Sequence, residues 1–144
     1  MKFSKNSNCP CGSRKKYKDC CQIFHKGSAP KTPLALMKSR YCAYVLCDAD
    51  YLIKTTHENN PQFDADFKKW KIDILQYCKS CSFEKLDILS SSENANFGFV
   101  EFEATFIQDE QRFILKEKSK FEKVQNRWLY LSGDFDFSQA VLDN

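Results

Sequence analysis

Four cysteines within residues 9–21 constrain the fold of this chain more than any other feature. Cys9 and Cys11 form one closely spaced pair, and Cys20 and Cys21 form a second pair after eight intervening residues. Two thiol pairs joined by a short loop can supply the four corners of a tetrahedral site, which is how proteins bind structural zinc. Because protein ligands would fill all four positions, the spacing predicts a structural Zn²⁺ ion and not a catalytic one.

Disulfides are the alternative use of these thiols, but the adjacent Cys20 and Cys21 fit poorly into a disulfide framework. The first seven residues lack the apolar core of a secretory signal peptide, and no stretch has the apolar length of a membrane span. Eight cysteines without such a signal indicate a reducing cytoplasm, where thiols bind metal or stay free. Iron in the same thiolate set is the open alternative to zinc.

Charge divides the chain into two unequal parts. Residues 1–31 hold eight Lys/Arg and one acidic residue, a net charge of +7, whereas residues 32–144 hold 14 basic and 18 acidic residues, a net charge of −4. The positive surplus makes this segment a candidate surface for an acidic partner, protein or RNA, although a solvated basic face is the favoured interpretation of the charge alone. Nucleic acid is the weaker choice, because only Tyr17 could stack on bases there. The candidate contact residues are Arg14, Lys15, Lys16 and Lys18.

The segment from Cys9 to Cys21 closely resembles the SEC-C motif, which is named after the C-terminal tail of the SecA preprotein translocase. The matching residues read Cys-Pro-Cys-Gly-Ser-Arg-Lys-Lys-Tyr-Lys-Asp-Cys-Cys. That family usually has glycine where this chain has Arg14, a difference that affects a backbone turn and leaves the four ligands unchanged. The resemblance implies a protein-docking role, because the motif in SecA docks proteins, including an export chaperone.

Beyond a Gly-Ser-Ala-Pro-Lys linker at 27–31, the apolar periodicity predicts helices. Thr32 and Pro33 read as a helix cap followed by proline at the first helical position, and they begin a helix over 33–46. Asp48 is predicted to cap a second, shorter helix that runs to about residue 56.

Asn60 and Pro61 repeat the cap-and-proline signal, so a third helix is predicted from there, with an apolar stripe from Phe63 to Tyr77. Beyond residue 80 the period changes from 3.6 to 2, which indicates strands. The four predicted strands cover 83–89, 97–107, 112–121 and 127–131. Helices followed by a meander of strands are typical of an α+β fold.

The predicted architecture has two parts. A small zinc module occupies residues 1–28, and an α+β domain occupies residues 32–144. In that domain three helices pack on a curved antiparallel sheet, which gives a cystatin-like cone with an open mouth.

The part of the chain from the second helix to the last strand resembles the nuclear transport factor 2-like superfamily, which also contains ketosteroid isomerase. More narrowly, the whole chain resembles the YchJ family of small bacterial proteins. The matching segments, in chain order, are TPLALMKSRY at 32–41, DYL at 50–52, GFVEF at 98–102, EKSKF at 117–121 and RWLY at 127–130. The resemblance implies this fold but brings no established biochemical role. Lys116 stands where relatives often have histidine, which argues against acid–base chemistry at that position.

Alternation along the third strand directs one carboxylate toward the interior. Lysines alternate on the solvent face over 116–120, so Glu117 faces inward among phenylalanines, where an unpaired carboxylate is costly. A buried salt bridge to Arg40 or Arg127 is the favoured prediction, and a general base in a pocket is the alternative. The predicted lining of the cone mouth is Arg40, Tyr44, His57, Glu117, Ser119, Trp128 and Tyr130.

The other four cysteines carry weaker signals. Cys42 and Cys47 are predicted to be small buried hydrophobes. Cys78 and Cys81 form a C-x-x-C with neither a second pair nor a βαβ frame, so no thioredoxin-like role is predicted. A disulfide formed under oxidative stress is the alternative for that pair.

These observations favour a cytoplasmic adaptor that docks a protein partner through its basic zinc module and uses the cone as a scaffold. The alternative is a small-molecule-binding protein or enzyme that uses the pocket around Glu117. Related folds often dimerise through the outer face of the sheet. A homodimer is therefore a further expectation, with a solvated outer face as its alternative.

Overall fold

The computed structural model describes residues 3–140, so residues 1–2 and 141–144, at the outer ends of the two predicted domains, lie outside the described residues. The helices are a 3₁₀ turn Tyr17–Asp19, α1 Cys21–His25, α2 Pro33–Leu46, α3 Ala49–Lys54 and α4 Phe67–Ser80. The strands are β1 Cys81–Glu93, β2 Phe97–Gln108, β3 Gln111–Val124 and β4 Arg127–Ala140. In this part of the chain no helix combines the length and apolarity that crossing a bilayer requires. The predicted α+β class is confirmed.

Helices α2 and α3 begin where the sequence predicts, because both predicted caps form. Thr32 Oγ1 accepts a hydrogen bond from the backbone N–H of Ala35 at 3.0 Å, and Pro33 is the first helical residue. Asp48 Oδ1 accepts from the backbone N–H of Tyr51 at 3.1 Å. Local capping chemistry is therefore sufficient to place both helix starts.

Helix α4 begins at Phe67, and the prediction that it begins at Asn60 is wrong. The side chain of Asn60 is used in a turn: Oδ1 accepts from the backbone N–H of Gln62 at 2.8 Å, and Nδ2 donates to Leu131 O at 3.0 Å. These bonds tie the loop to β4 before the helix starts. Asp66 is the actual cap of α4.

The four strands form a meander in which each strand pairs antiparallel with the next. Two-residue turns, Asp109–Glu110 and Gln125–Asn126, join the last three strands, and all four residues have positive φ, as type I′ hairpins require. The predicted order of the strands is confirmed. The last strand is longer than predicted, since β4 extends to Ala140 through an Asp-Phe-Asp-Phe sequence at 134–137.

The core lies between α2 and the inner face of the sheet. Leu36 of α2 and Val100 of β2 are fully buried, and the alternation predicted for β2 holds, because its inward residues are buried and its glutamates are partly exposed. Gly98 lets α2 approach β2 closely: a Cβ there would lie 2.8 Å from Pro33 Cβ, closer than atoms can pack. The main buried residues are Leu36, Met37, Tyr41, Leu52, Val100, Phe102, Ala104, Phe121 and Trp128.

The cysteine-rich segment is packed against α2 and is not a detached appendage. Ser39 O can only accept, so His25 Nε2 donates to it at 2.8 Å, and His25 Nδ1 accepts from the Tyr17 hydroxyl at 2.6 Å. At the other end of the linker, Trp128 Nε1 donates to Lys31 O at 3.3 Å. The segment and the α+β domain therefore share one set of buried contacts.

Candidate metal centre and ligand cavity

The four predicted metal ligands lie together. The Sγ atoms of Cys9, Cys11, Cys20 and Cys21 are all within 4.8 Å of one another. Three of the four residues are buried, Cys20 is partly buried, and none forms a disulfide. Sulfur atoms bound to one tetrahedral zinc ion are about 3.8 Å apart when the Zn–S bonds are about 2.3 Å. The donor set therefore fits zinc, and it also fits other metals that favour thiolates.

Local backbone geometry brings the two cysteine pairs together. The backbone N–H of Cys9 donates to Lys15 O at 2.8 Å, which closes the loop between the pairs, and Gly12 turns the chain with a φ of 83°. Ser13 Oγ lies 3.1 Å from Cys20 Sγ and can donate a hydrogen bond to a thiolate there. Such donors outside the ligand set hold the ligands in place and stabilise their charge.

Arg14 occupies the turn position at which SEC-C motifs usually have glycine. Its φ is 69°, in the left-handed region that glycine adopts without steric cost, and its side chain is exposed. The backbone turn is therefore kept with arginine in a strained left-handed conformation, and the cysteine cluster still forms.

The four basic residues proposed for docking lie on the surface of the module. Arg14, Lys15, Lys16 and Lys18 are all exposed, and the nearest acidic residue in sequence is Asp19. Two large apolar side chains of the same segment are also exposed, Phe3 at 43% and Ile23 at 46%. The docking role itself stays a prediction.

A cavity of about 620 Å³ opens between the helices and the sheet. Aromatic rings supply much of its wall, among them Tyr41, Tyr44, Trp70, Phe83, Phe102 and Tyr130. The polar lining residues are Arg40, Gln62, Asp73, Glu117 and Ser119. A mostly apolar pocket of this size with a few polar groups is typical of a small-molecule site.

Glu117 is buried in this cavity and is held by two hydroxyl groups. Its Oε2 accepts hydrogen bonds from the Tyr130 hydroxyl at 2.8 Å and from the Ser119 hydroxyl at 2.5 Å. Burial first, and then the nearby carboxylate, raise the pKa of Tyr130, so its hydroxyl stays protonated and remains a donor. Within residues 3–140 no ion pair involves Glu117, so the predicted salt bridge to Arg40 or Arg127 is wrong.

Arg40 does not pair with Glu117 because its guanidinium is engaged elsewhere. Its Nη1, which carries two hydrogens, lies within hydrogen-bond distance of three acceptors: Leu52 O at 3.1 Å, Thr55 Oγ1 at 2.7 Å and Thr56 Oγ1 at 3.1 Å. The guanidinium carbon also lies 4.7 Å from the centre of the Tyr130 ring, a cation–π contact. Arg40 therefore joins α2 to the end of α3 and positions Tyr130.

The second oxygen of Glu117 has no hydrogen-bond partner among the described residues. Both hydroxyl groups donate to Oε2, and no donor among the described residues reaches Oε1. Every buried side-chain nitrogen and oxygen in residues 3–140 has a hydrogen-bond partner. Since Oε1 has none, this atom keeps some exposed surface although the residue as a whole is buried, and Glu117 lines the cavity. Oε1 is therefore available to a ligand.

Gly133 is a site residue that the sequence prediction missed. A Cβ at this position would lie 2.5 Å from Glu117 Oε2 and 2.6 Å from the Tyr130 hydroxyl oxygen. Only glycine leaves room for that hydrogen-bonded pair. The available signal was a glycine within a strand, which often marks a close approach of another group.

Two residues predicted to line the cavity lie outside it. His57 turns its ring toward β3, where Nε2 lies 2.7 Å from Glu122 Oε1, and its backbone N–H donates to Tyr130 O. Trp128 is buried against the start of α2 and donates to the linker. The prediction is wrong for both, because each side chain joins two elements. Arg40, Tyr44, Glu117, Ser119 and Tyr130 do line the cavity.

The remaining cysteines fall into different environments. Burial, and then the neighbouring Cys47, raise the pKa of Cys78 to about 12, which disfavours the thiolate that thiol redox chemistry requires. Cys81 is the first residue of β1. Cys42 is fully buried, as predicted, but it lies against the cysteine cluster and not among hydrophobic side chains alone.

Comparison with known proteins agrees with this architecture. The model of the YchJ middle NTF2-like domain matches residues 32–133, and that of the SEC-C motif matches residues 6–23. A UPF0225 protein from Vibrio parahaemolyticus is 39% identical over 138 residues, which cover 95% of this chain and 80% of the relative.

Two solved structures of SEC-C motif-containing proteins are similar over nearly the whole chain. The protein from Rhodopseudomonas palustris is 36% identical, with a TM-score of 0.77 over 89% of this chain and 98% of the other. The protein from Psychrobacter arcticus is 26% identical, with a TM-score of 0.75 over 96% of this chain and 86% of the other. The chain thus belongs to the UPF0225 (YchJ) family, with a SEC-C motif followed by an NTF2-like domain.

Proposed function

We propose that this protein binds a small, mostly apolar molecule in the cavity of its NTF2-like domain, and that a structural Zn²⁺ ion holds its SEC-C motif. The observation that carries the proposal is Glu117, a buried carboxylate with an open oxygen in an aromatic cavity of about 620 Å³. A carboxylate that served only to stabilise the fold would be expected to pair with a base, as buried charges usually do.

The chemistry of the cavity indicates the kind of ligand. Glu117 Oε1 accepts hydrogen bonds, so the ligand needs an N–H, an O–H or an ammonium group at that end. Its other end needs an apolar or aromatic surface to pack against the tyrosine and phenylalanine rings. Tyr130 and Ser119 fix the carboxylate before binding, which lowers the entropic cost of ordering it.

A neutral fluorescent probe with one N–H donor, N-phenyl-1-naphthylamine, tests the cavity directly. Leu115 lines the cavity, whereas its neighbour Ile114 lies on the opposite face of β3, so the two residues form a matched pair. We expect Leu115→Trp to fill the cavity and abolish the fluorescence increase, and Ile114→Trp to leave it unchanged. Equal binding by both variants, or no binding by the wild-type protein, would contradict the proposal.

The role of the carboxylate is tested by Glu117→Gln, with Glu101→Gln on the outer face of β2 as the control. Glutamine can still accept from both hydroxyl groups, so we expect the melting temperature to change little. Loss of a charged acceptor should weaken the binding of the probe about tenfold. A large drop in melting temperature with unchanged binding would show that Glu117 is structural.

A second proposed function is docking of an acidic protein partner through the basic module. It is supported by the four exposed basic residues beside the exposed side chains of Phe3 and Ile23. The free cysteines suit a reducing cytoplasm, where we place both functions.

The docking proposal is tested by replacing Lys15, Lys16 and Lys18 together with glutamate before affinity capture. Replacement of Lys116, Lys118 and Lys120 changes the net charge equally on the outer sheet face and serves as the control. We expect only the first variant to lose the captured acidic partner while it keeps its metal content. An unchanged set of partners would refute docking through this surface.

A further inference from the structure

A fifth sulfur atom lies at the metal cluster. Cys42 Sγ is 3.4 Å from Cys9 Sγ, although the two residues are 33 positions apart and Cys42 belongs to α2 of the NTF2-like domain. Within the cluster itself, Cys11 Sγ and Cys20 Sγ are 3.6 Å apart. Both separations are close to the roughly 3.8 Å expected between sulfurs that bind one tetrahedral zinc ion. Cys42 is therefore at ligand distance from the cluster.

The surroundings of Cys42 resemble those of a ligand more than those of a packing residue. Its thiol interacts with the side chains of Cys11 and Cys21 as well as Cys9. These four cysteines, all buried, belong to one cluster, in which Cys42 has no exposed surface. Cys20 is the one SEC-C cysteine that is only partly buried, and it contacts the edge of this cluster.

Five thiols thus lie at or beside a centre with four coordination positions: four lie within 4.8 Å of one another, and Cys42 is in contact with Cys9. We propose that Cys42 is an alternative fourth ligand that exchanges with Cys20, so that the SEC-C motif and helix α2 share one metal ion. This inference rests on the metal centre proposed above. With Cys42 bound, all four ligands are buried and the ion ties the two domains together. With Cys20 bound, Cys42 lies beside the ion and one ligand reaches the surface.

Cobalt(II) binding to the full-length chain tests the proposal, because the visible absorption of Co²⁺ distinguishes four thiolate ligands from three. We expect Cys20→Ser to keep one Co²⁺ per chain and the four-thiolate spectrum, because Cys42 replaces the missing ligand. The double variant Cys20→Ser, Cys42→Ser should lose that spectrum. Cys47→Ser, which removes a cysteine at the end of the same helix outside the cluster, should behave as wild type.

A second measurement uses the wild-type protein and does not depend on how the variants fold. Native mass spectrometry of the zinc-loaded chain after iodoacetamide treatment, with peptide mapping, should show chains alkylated at Cys20 that retain one zinc ion. Loss of zinc on alkylation of Cys20, or a three-thiolate cobalt spectrum for Cys20→Ser alone, would show that Cys42 only packs beside the ion. A wild-type protein that binds neither metal would overturn the metal centre itself.

Discussion

Arg14 shows how a single residue can bear strain without altering a nearby site. Its φ of 69° is unfavourable for any residue with a Cβ, at a cost of roughly 1 kcal/mol or somewhat more. The side chain is exposed and forms no part of the cysteine cluster. Arginine at this position therefore adds a positive charge to the surface at a cost in backbone stability.

We predict that Arg14→Gly stabilises the protein by about 1 kcal/mol, because glycine adopts this φ without a steric penalty. Urea unfolding of the zinc-loaded protein measures the change. Arg14→Ala removes the same charge and keeps the strain, so it should show no such gain. Equal stabilisation by both variants would mean that charge repulsion, and not the backbone, limits stability here.

At the scale of elements, α2 joins the two candidate sites. Arg40 and Tyr44 line the cavity, while Cys42 lies against the metal cluster from another side of the helix. Ser39 O accepts the hydrogen bond from His25 of the module. The position of this one helix therefore affects the geometry of both the proposed metal centre and the proposed ligand cavity.

The start of α2 offers a test of how much its cap stabilises this helix. We predict that Thr32→Ala costs about 1 kcal/mol of unfolding free energy, because the backbone N–H of Ala35 loses its acceptor. Thr32→Ser keeps the hydroxyl and should be close to wild type. Thermal unfolding followed by circular dichroism measures both variants. A Thr32→Ala protein as stable as Thr32→Ser would show that the cap contributes nothing.

At the scale of the whole molecule, the SEC-C motif and the NTF2-like domain share a buried boundary. Two contacts cross this boundary, from His25 Nε2 to Ser39 O and from Cys9 Sγ to Cys42 Sγ. Beside it, the Tyr17 hydroxyl donates to His25 Nδ1 and orients that ring. We therefore expect the two parts to unfold together.

Removal of the metal with a chelator should lower the single melting temperature by about 10 °C, because binding energy at such a centre is folding energy. A chelator already saturated with zinc is the control. Circular dichroism of the strands and helices measures the transition, with metal analysis in parallel. Loss of the metal without a change in melting temperature would show that the motif is energetically independent.

All six tyrosines give a further prediction, since burial raises the pKa of each one. The pKa of a tyrosine in an unfolded chain is about 10. The folded state thus holds these protons more tightly, so stability is retained below about pH 10 and falls as the pH rises through the raised pKa values. For Tyr41 and Tyr51 the raised pKa is about 12.

We expect the 295 nm absorbance of ionised tyrosine to rise in one step that coincides with the loss of helical circular dichroism. The unfolded protein in denaturant, titrating near pH 10, is the reference. Tyrosine ionisation near pH 10 in a protein that keeps its circular dichroism would contradict this prediction.

Signals that are local in sequence predicted their structures well, and those that depend on distant residues did not. The Thr32 cap and the four clustered cysteines needed only their own neighbours. The start of α4 was wrong because Asn60 bonds Leu131, 71 residues away. Glu117 lacks its predicted salt bridge because the guanidinium of Arg40 is bound by Thr55 and Thr56, which directly follow α3. The place of Cys42 beside the cluster depends on how two domains pack, which spacing alone does not encode.

The packing of the cysteine-rich segment against α2 has a consequence for the order in which the chain can fold. Its contacts span short separations, 14 residues from His25 to Ser39 and 33 from Cys9 to Cys42. The contacts that join the helical part of the chain to β3 and β4 span 65 residues from His57 to Glu122 and 97 from Lys31 to Trp128. Shorter loops cost less entropy to close, and synthesis delivers the N-terminus first. A nascent chain can thus form the cysteine cluster and α2 on the ribosome, and the strands made later then fold onto a helix that is already anchored.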